Sequence, residues 1–246
     1  MISAQAEIAL ETRSLSKQYD GLRAVTDVSM QVKVGEIVGL IGPNGAGKTT
    51  FINAIAGLAP PTSGSVLLFG EDATGLRPEE MCHRGLSRTF QIPRPFPKMT
   101  ALENVMVASV FGRADRRAGD AVRRAREQLE RVGFPLDENV RSAKLNVVQL
   151  KRLDLARALA SSPRLLLLDE LASGLTGAEL TDLMHIIRRI RDSGVTILMV
   201  EHIMRVIMDL CDRLVVLHFG NKIAEGPTLE VAGDPKVAEA YLGRRP

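Results

Sequence analysis

A chain of 246 residues with 45% hydrophobic and 25% charged residues suits one large α/β domain and excludes a disordered or low-complexity protein. No stretch approaches the roughly 18 uncharged apolar residues of a membrane span, and the start, MISAQAEIALETRS, lacks a basic region followed by an apolar run, so no secretory signal is expected. A formal net charge of +3 is too small to argue for nucleic acid, and Cys82 and Cys211, far apart and in no metal-ligand spacing, read as buried small residues of a reducing compartment.

Taken in chain order, the first part reads as β. Val28, Met30, Val32 and Val34 alternate with polar residues, and Tyr19 precedes these first strands. The short apolar run Glu36–Ile41 is typical of a buried parallel strand. It feeds a glycine-rich loop and a helix beginning near Lys48. The turn signal Pro60–Gly64 leads to a strand at Val66–Phe69.

From Gln91 the texture changes. Three prolines in Ile92–Pro97 exclude a helix interior and predict an extended linker. Thr100 with Glu103 forms a capping box opening a helix over Ala101–Val110. The stretch from about 100 to 162 is mainly helical and reads as an inserted subdomain. Basic residues concentrate in Arg113–Arg131, but Asp115, Asp120, Glu127 and Glu130 are interleaved with them, the pattern of a solvated helix face.

The α/β pattern resumes with a buried strand at Leu165–Leu168 ending in Asp169-Glu170. A helix near Ala178–Asp192, a strand at Val195–Val200, a helix near Ile203–Asp209 and a strand at Arg213–Leu217 follow. Such alternation implies right-handed crossovers and a mainly parallel sheet, with ligands at the carboxyl ends of its strands. Gly42 and Asp169 both fall at such ends, so the segments that carry them can meet in space.

The run Gly42-Pro43-Asn44-Gly45-Ala46-Gly47-Lys48-Thr49, followed by Thr50, fits G-x-x-x-x-G-K-[ST]. Its glycines let backbone N–H groups turn inward around a phosphate, and the following helix presents its positive end. Lys48 is placed to reach the β- and γ-phosphates of a nucleotide, and the Thr49 hydroxyl to ligate Mg²⁺. Asp169, after its buried strand, suits the same magnesium site. Glu170 is the candidate general base that deprotonates the attacking water. Gln91, at the junction of core and insert, reads either as a solvated loop amide or as a group that feels Mg²⁺ or that water. His202 follows a strand at the end where the γ-phosphate would lie. Tyr19 has a ring that could stack on adenine, a weak reading by itself.

Together these residues resemble the ABC transporter ATPase family over essentially the whole chain. Gly42–Thr49 resembles its Walker A motif, Leu165–Asp169 its Walker B motif with Glu170 as the catalytic carboxylate, and Thr89-Phe90-Gln91 its Q-loop. Glu201-His202 resembles the switch-histidine segment, and Lys17-Gln18-Tyr19 the adenine-stacking A-loop. Gly85–Gln91, Phe96–Asn104, Gly21–Val25, Phe51–Asn53 and the tail from Gly226–Val231 through Ala240–Leu242 are similar to the subfamily serving branched-chain amino acid importers. The resemblance implies a P-loop NTPase fold in one domain, 1–246: an α/β core of 1–91 and 163–246, with a mainly parallel sheet and an antiparallel β subdomain, plus a helical subdomain of 92–162. It implies ATP and Mg²⁺ as cofactors, a second ABC ATPase subunit, two membrane permease subunits, a periplasmic solute-binding protein acting indirectly, and a peripheral place on the cytoplasmic face of a bacterial inner membrane.

Two segments depart from the family. Its signature loop, Leu-Ser-Gly-Gly-Gln, stands here as Leu145-Asn146-Val147-Val148-Gln149. The D-loop, which usually ends in Asp or Asn, is Ser173-Gly174-Leu175-Thr176. Both would contact the nucleotide site across a dimer. Three alternatives to an importer motor stay open: an exporter or lipid-extraction ATPase, a subunit that binds ATP with weak turnover, and a soluble ABC ATPase acting on DNA or ribosomes. The last lacks its usual long coiled-coil insertion or second ATPase domain.

Overall fold

The fold is built on two sheets sharing one interior. It is described here from a computed structural model covering residues 7–112, 120–135 and 137–242. In chain order, β1 (Ile8–Tyr19), β2 (Leu22–Lys33), β3 (Ile37–Ile41), α1 (Lys48–Ile55), β4 (Ser63–Leu68) and β5 (Glu71–Asp72) come first. Then follow α2 (Pro78–His83), β6 (Leu86–Arg88), α3 (Ala101–Phe111), α4 (Ala121–Arg131) and α5 (Val147–Ala160). The chain continues through β7 (Leu165–Asp169), α6 (Gly177–Asp192), β8 (Thr196–Val200) and α7 (Met204–Leu210). It closes with β9 (Arg213–His218), β10 (Asn221–Pro227), α8 (Thr228–Ala232) and α9 (Pro235–Leu242).

One sheet has the order β10-β9-β3-β8-β7-β6, parallel except for the β9–β10 hairpin at its edge. The other, β2-β1-β4-β5, is antiparallel. Every residue of β3, β7 and β8 is buried, because helices or the second sheet cover both faces. The strand period of two then divides their side chains. Ile37, Ile41, Leu166, Leu168, Ile197 and Met199 face a core shared with α3, α5 and α6. Val38, Leu40, Leu165, Leu167, Leu198 and Val200 face a second core closed by α1 and the antiparallel sheet.

Parallel register places β3, β7 and β8 to end together: Leu40 pairs with Val200, and Val200 with Asp169. The loops leaving all three strands therefore emerge side by side.

Helix starts follow local chemistry. Thr100 and Glu103 form the expected capping box, with Thr100 Oγ1 accepting the Glu103 N–H at 3.1 Å, and α3 runs one residue beyond the expected Val110. Thr176 and Glu179 cap α6 in the same way. The proline-rich segment 92–97 is irregular.

Four expectations are corrected. Tyr19 does not precede the first strands but ends β1, opposite Leu22; register shifts along β1 and a left-handed Ser14 (φ 46°) erase its period-two signal. Val34 lies past the end of β2 and is exposed, where Gly35 (φ 78°) turns the chain. Phe69 lies past β4 in a left-handed turn at φ 52°. Cys82 is half-buried, its Sγ donating to Gly112 O at 3.3 Å, whereas Cys211 is buried as expected. Within the basic stretch, 113–119 lie outside the described residues; on α4, Arg123 pairs with Glu127 at 2.6 Å and Arg126 with Glu138 at 2.7 Å on the exposed face.

Candidate nucleotide site

The glycine-rich loop leaves β3 at Ile41 and enters α1 at Lys48. Two of its glycines are required by geometry. Gly42 adopts φ 149°, and a Cβ there would stand 2.1 Å from Leu217 O. Gly47 adopts φ 99°, and a Cβ would stand 2.4 Å from Ala24 O. Any side chain at either place collides with backbone that has nowhere to go.

Lys48 folds back over the loop, its Nζ donating to Gly42 O at 2.6 Å and Pro43 O at 3.0 Å. Burial lowers its pKa, and the nearby Glu170 and Asp169 carboxylates oppose that shift. A cavity of about 650 Å³ opens above the loop. Asn44 through Thr50, Gln91, Glu170, Phe219, Gly220 and the β2 start Leu22–Ala24 line it.

Asp169 ends β7 almost fully buried. Its Oδ2 accepts from Arg88 Nη2 at 2.7 Å, and the two side chains are 7% and 8% exposed. Arg88, from the neighbouring strand β6, also donates through Nη1 to Asn53 Oδ1 of α1 at 2.5 Å. A buried arginine thus ties the carboxylate strand to the phosphate-loop helix. Sequence reading passed over Arg88 inside Gly85–Gln91; the pairing of β6 beside β7 is long-range, and only the fold reveals it.

Glu170 stands one residue further, in the left-handed region at φ 46°, with its N–H donating to Val200 O at 2.9 Å. Gln91 Nε2 donates to Glu170 Oε2 at 2.6 Å, and His202 Nδ1 stands 4.0 Å from Glu170 Oε1. So Gln91 is neither a free loop amide nor distant from the chemistry: it reaches the candidate base.

Two further groups hold the loop after β7. Lys151 of α5 is buried, and its Nζ donates to Leu171 O at 2.9 Å and to Ser173 O. Glu201 is buried too and accepts from Ala172 N at 2.8 Å and His202 N at 3.3 Å. Burial pushes the Lys151 pKa down, against the pull of Glu201 and Glu170, and pushes the Glu201 carboxyl up, against the N–H groups it accepts. Gln91 is anchored to the helices in turn, because the Phe90 N–H donates to the buried carboxylate of Asp154 on α5 at 2.9 Å.

Tyr19 and Leu145–Gln149 stand apart from this cluster. Tyr19 lies at the β1–β2 turn, half-exposed, with Lys17 Nζ 5.0 Å from its ring centre. Leu145 is buried, Asn146 caps α5, and Val147 is 61% exposed at its first position.

A strand, glycine-rich loop and helix, with a buried aspartate ending a parallel strand two places along the same sheet, define a P-loop ATPase. The chain belongs to the ABC transporter ATP-binding family: the family model described as ABC transporter matches residues 25–173, and one described as branched-chain amino acid ATP-binding cassette transporter matches 221–245. It is 37% identical to the high-affinity branched-chain amino acid transport ATP-binding protein BraF of Pseudomonas aeruginosa, over 95% of this chain and 97% of that one. It is 38% identical, with the same coverage, to the corresponding protein LivG of Salmonella typhimurium. It is 35% identical to the lipopolysaccharide export system ATP-binding protein LptB of Acidithiobacillus ferridurans, over 95% and 96%. Among solved structures, a nucleotide-free ATP-binding cassette from an ABC transporter superposes with a TM-score of 0.87 at 29% identity, covering 96% of this chain and all of that one. The chain is an ATP-binding subunit of an ABC transporter, an ATPase whose hydrolysis powers transport.

Proposed function

We propose that this subunit powers import of branched-chain amino acids or related small solutes. The observation that carries the reading is the segment 221–245, which matches a family model specific to branched-chain amino acid cassettes, beside relatives such as BraF and LivG. In this reading the chain sits peripherally on the cytoplasmic face of a bacterial inner membrane, with two permease subunits, a second ATPase subunit and, indirectly, a periplasmic binding protein. Among the described residues no helix is long and apolar enough to cross a membrane. The test is co-purification with membrane partners, followed by ATP-dependent uptake of labelled leucine in vesicles. Retention of a lipopolysaccharide-exporting complex instead would favour the export reading that the 35% identity to LptB keeps open.

At the site, Glu170 acts as general base on the attacking water, with Gln91 holding one carboxylate oxygen and His202 beside the other. Lys48, the Gly42–Thr50 segment and the N-terminal end of α1 bind the phosphates, and the Tyr19 ring stacks on adenine. Thr49, Asp169 and Gln91 supply oxygen donors suited to Mg²⁺. Among the described residues no group of three or more His, Cys, Asp or Glu side chains forms a metal cage, so the ion would be shared with the nucleotide's phosphates. When bound, Mg²⁺ neutralises charge developing on those phosphates.

The division into a core (1–91 and 163–246) and a helical subdomain (92–162) gives this reading its coupling route. A groove of about 330 Å³ runs between them, lined by Leu58, Cys82, Phe90, Phe111 and Arg157 among others. Ile92, Phe96 and Met99 lie exposed in the adjoining linker rather than in the core. A permease segment docked there would bear on Gln91 through the Phe90–Asp154 bond. Changing Phe96 or Met99 to Ala is expected to lower ATPase stimulation by the permease more than basal ATP binding, with no matching loss of thermal stability.

A further inference from the structure

The C-terminal helix reaches the phosphate loop. Tyr241, on the last turn of α9, lays its hydroxyl against the loop's first residue, and the Gly42 N–H donates to it at 2.8 Å. Gly42 is where the chain leaves β3 in a conformation that only glycine takes readily, at φ 149°. Its carbonyl is held from the opposite side by Lys48 Nζ at 2.6 Å. Between α9 and the outer wall of the loop lies a cavity of about 580 Å³, bounded by Pro43, Asn44, Ala46, Phe219, Lys236 and Ala240. The Tyr241 hydroxyl bridges from the helix to the loop.

We propose that α9 is a strap on the phosphate loop and that Tyr241 is a positioning residue for nucleotide binding. The proposal rests on the reading of the loop as the phosphate site. The Lys48 ammonium has three donors and gives two to the Gly42 and Pro43 carbonyls, and a bound phosphate competes with those carbonyls for it. The hold on the carbonyl side of Gly42 then weakens, and the Tyr241 hydroxyl keeps the other side. Without that hydroxyl the glycine is free to sample other bends, and binding must order it again, which weakens affinity rather than chemistry. Coupling of this kind is reciprocal: if the docked tail favours the nucleotide-ready loop, nucleotide must favour the docked tail.

Tyr241→Phe removes the hydroxyl and keeps the ring. It is expected to raise the Kd for an ATP analogue by about 2- to 13-fold, the range for one net hydrogen bond, with kcat at saturating ATP and the thermal midpoint nearly unchanged. Amide hydrogen exchange of residues 235–242 should slow when nucleotide binds the parent chain, and should not respond in Tyr241→Phe. Lys48→Ala, measured beside them, separates the failures. If Lys48→Ala also binds like the parent, the phosphate-site reading itself is wrong. If Lys48→Ala loses affinity but Tyr241→Phe binds like the parent, and α9 exchange ignores nucleotide in the parent chain, the strap is overturned. A fall in thermal midpoint with unchanged Kd would likewise reduce Tyr241 to a packing residue.

Discussion

The phosphate loop and the segment Leu145–Gln149 are shaped by opposite constraints. At the loop, backbone crowding from Leu217 and Ala24 excludes any side chain at Gly42 and Gly47, and Gly42 is held at both ends, its carbonyl accepting from Lys48 and its N–H donating to Tyr241. At Leu145–Gln149 the specification is that of a helix start: Asn146 Oδ1 accepts the Gln149 N–H at 3.0 Å, Gln149 Oε1 accepts the Asn146 N–H at 2.9 Å, and Val147 faces outward. The first region constrains a ligand's place within this chain. The second is anchored in the core by Leu145 and turns Asn146 and Val147 outward, so its fitness for nucleotide chemistry depends on what approaches from outside.

The largest effect separating the two regions should come from Lys48→Ala, which is expected to abolish most ATP affinity and all support of transport. The fold should survive, because the two hydrogen bonds that Lys48 makes go to carbonyls of the loop and not to a strand or helix ladder. Equilibrium binding of a labelled ATP analogue with circular dichroism checks both halves. Glu170→Gln comes next. Loss of a general base costs roughly 10²- to 10⁴-fold in rate, so the variant should bind Mg-ATP, hydrolyse it slowly in the assembled complex, and accumulate a closed ATP-bound dimer visible by size-exclusion chromatography. Wild-type turnover would move the base elsewhere, with His202 the next candidate.

Arg88 offers an effect on stability instead. Arg88→Met leaves the Asp169 carboxylate without its buried partner, and breaking such a pair costs roughly 3–5 kcal/mol. Urea unfolding should show that loss. Adding Asp169→Asn to Arg88→Met should recover part of it, since the uncompensated charge is then gone. If the two losses simply add, Arg88 and Asp169 do not act as a pair.

How much of this was legible beforehand follows from what each feature depends on. Phosphate-loop residues announce themselves because local geometry demands glycine and lysine at fixed spacing, and the strands β3, β7 and β8 because burial on both faces leaves uniform apolar runs. The Thr100 cap was readable because a capping box spans only four residues. What stayed hidden depended on strand order or chain reversal: Arg88 meets Asp169 only once β6 lies beside β7, Lys151 meets the loop after β7 only once α5 packs there, and Tyr241 meets Gly42 across the whole chain. The strand β1 was missed because its bulges break the alternation that signals a strand.

The smallest effect, and the one that most sharpens the contrast, concerns Asn146, Val147 and Val148. By resemblance, the family places a serine and two glycines here against the γ-phosphate of the opposite subunit. The structure makes these residues the cap and first two positions of α5, a 14-residue helix. The cap takes the Gln149 N–H, and the N–H groups of Val147 and Val148 have no partner within the helix, so they remain donors at its positive end. The handicap is therefore bulk: each valine carries a branched Cβ where glycine would let the backbone close on a phosphate. If this chain pairs with a different ATPase subunit, the site using its own Lys48, Asp169 and Glu170 should turn over, and the site completed by its Leu145–Gln149 should be slow. A homodimer would carry the slow segment twice. Combining Asn146→Ser, Val147→Gly and Val148→Gly is expected to raise homodimer hydrolysis by about 10- to 100-fold, the worth of one recovered charge-assisted hydrogen bond. The two glycines should cost roughly 1–2 kcal/mol of helix stability, read as a lower midpoint in urea. A midpoint shift with no change in rate, in the homodimer and in the full complex alike, would show that the valines are tolerated at the dimer site and that steric bulk does not limit it.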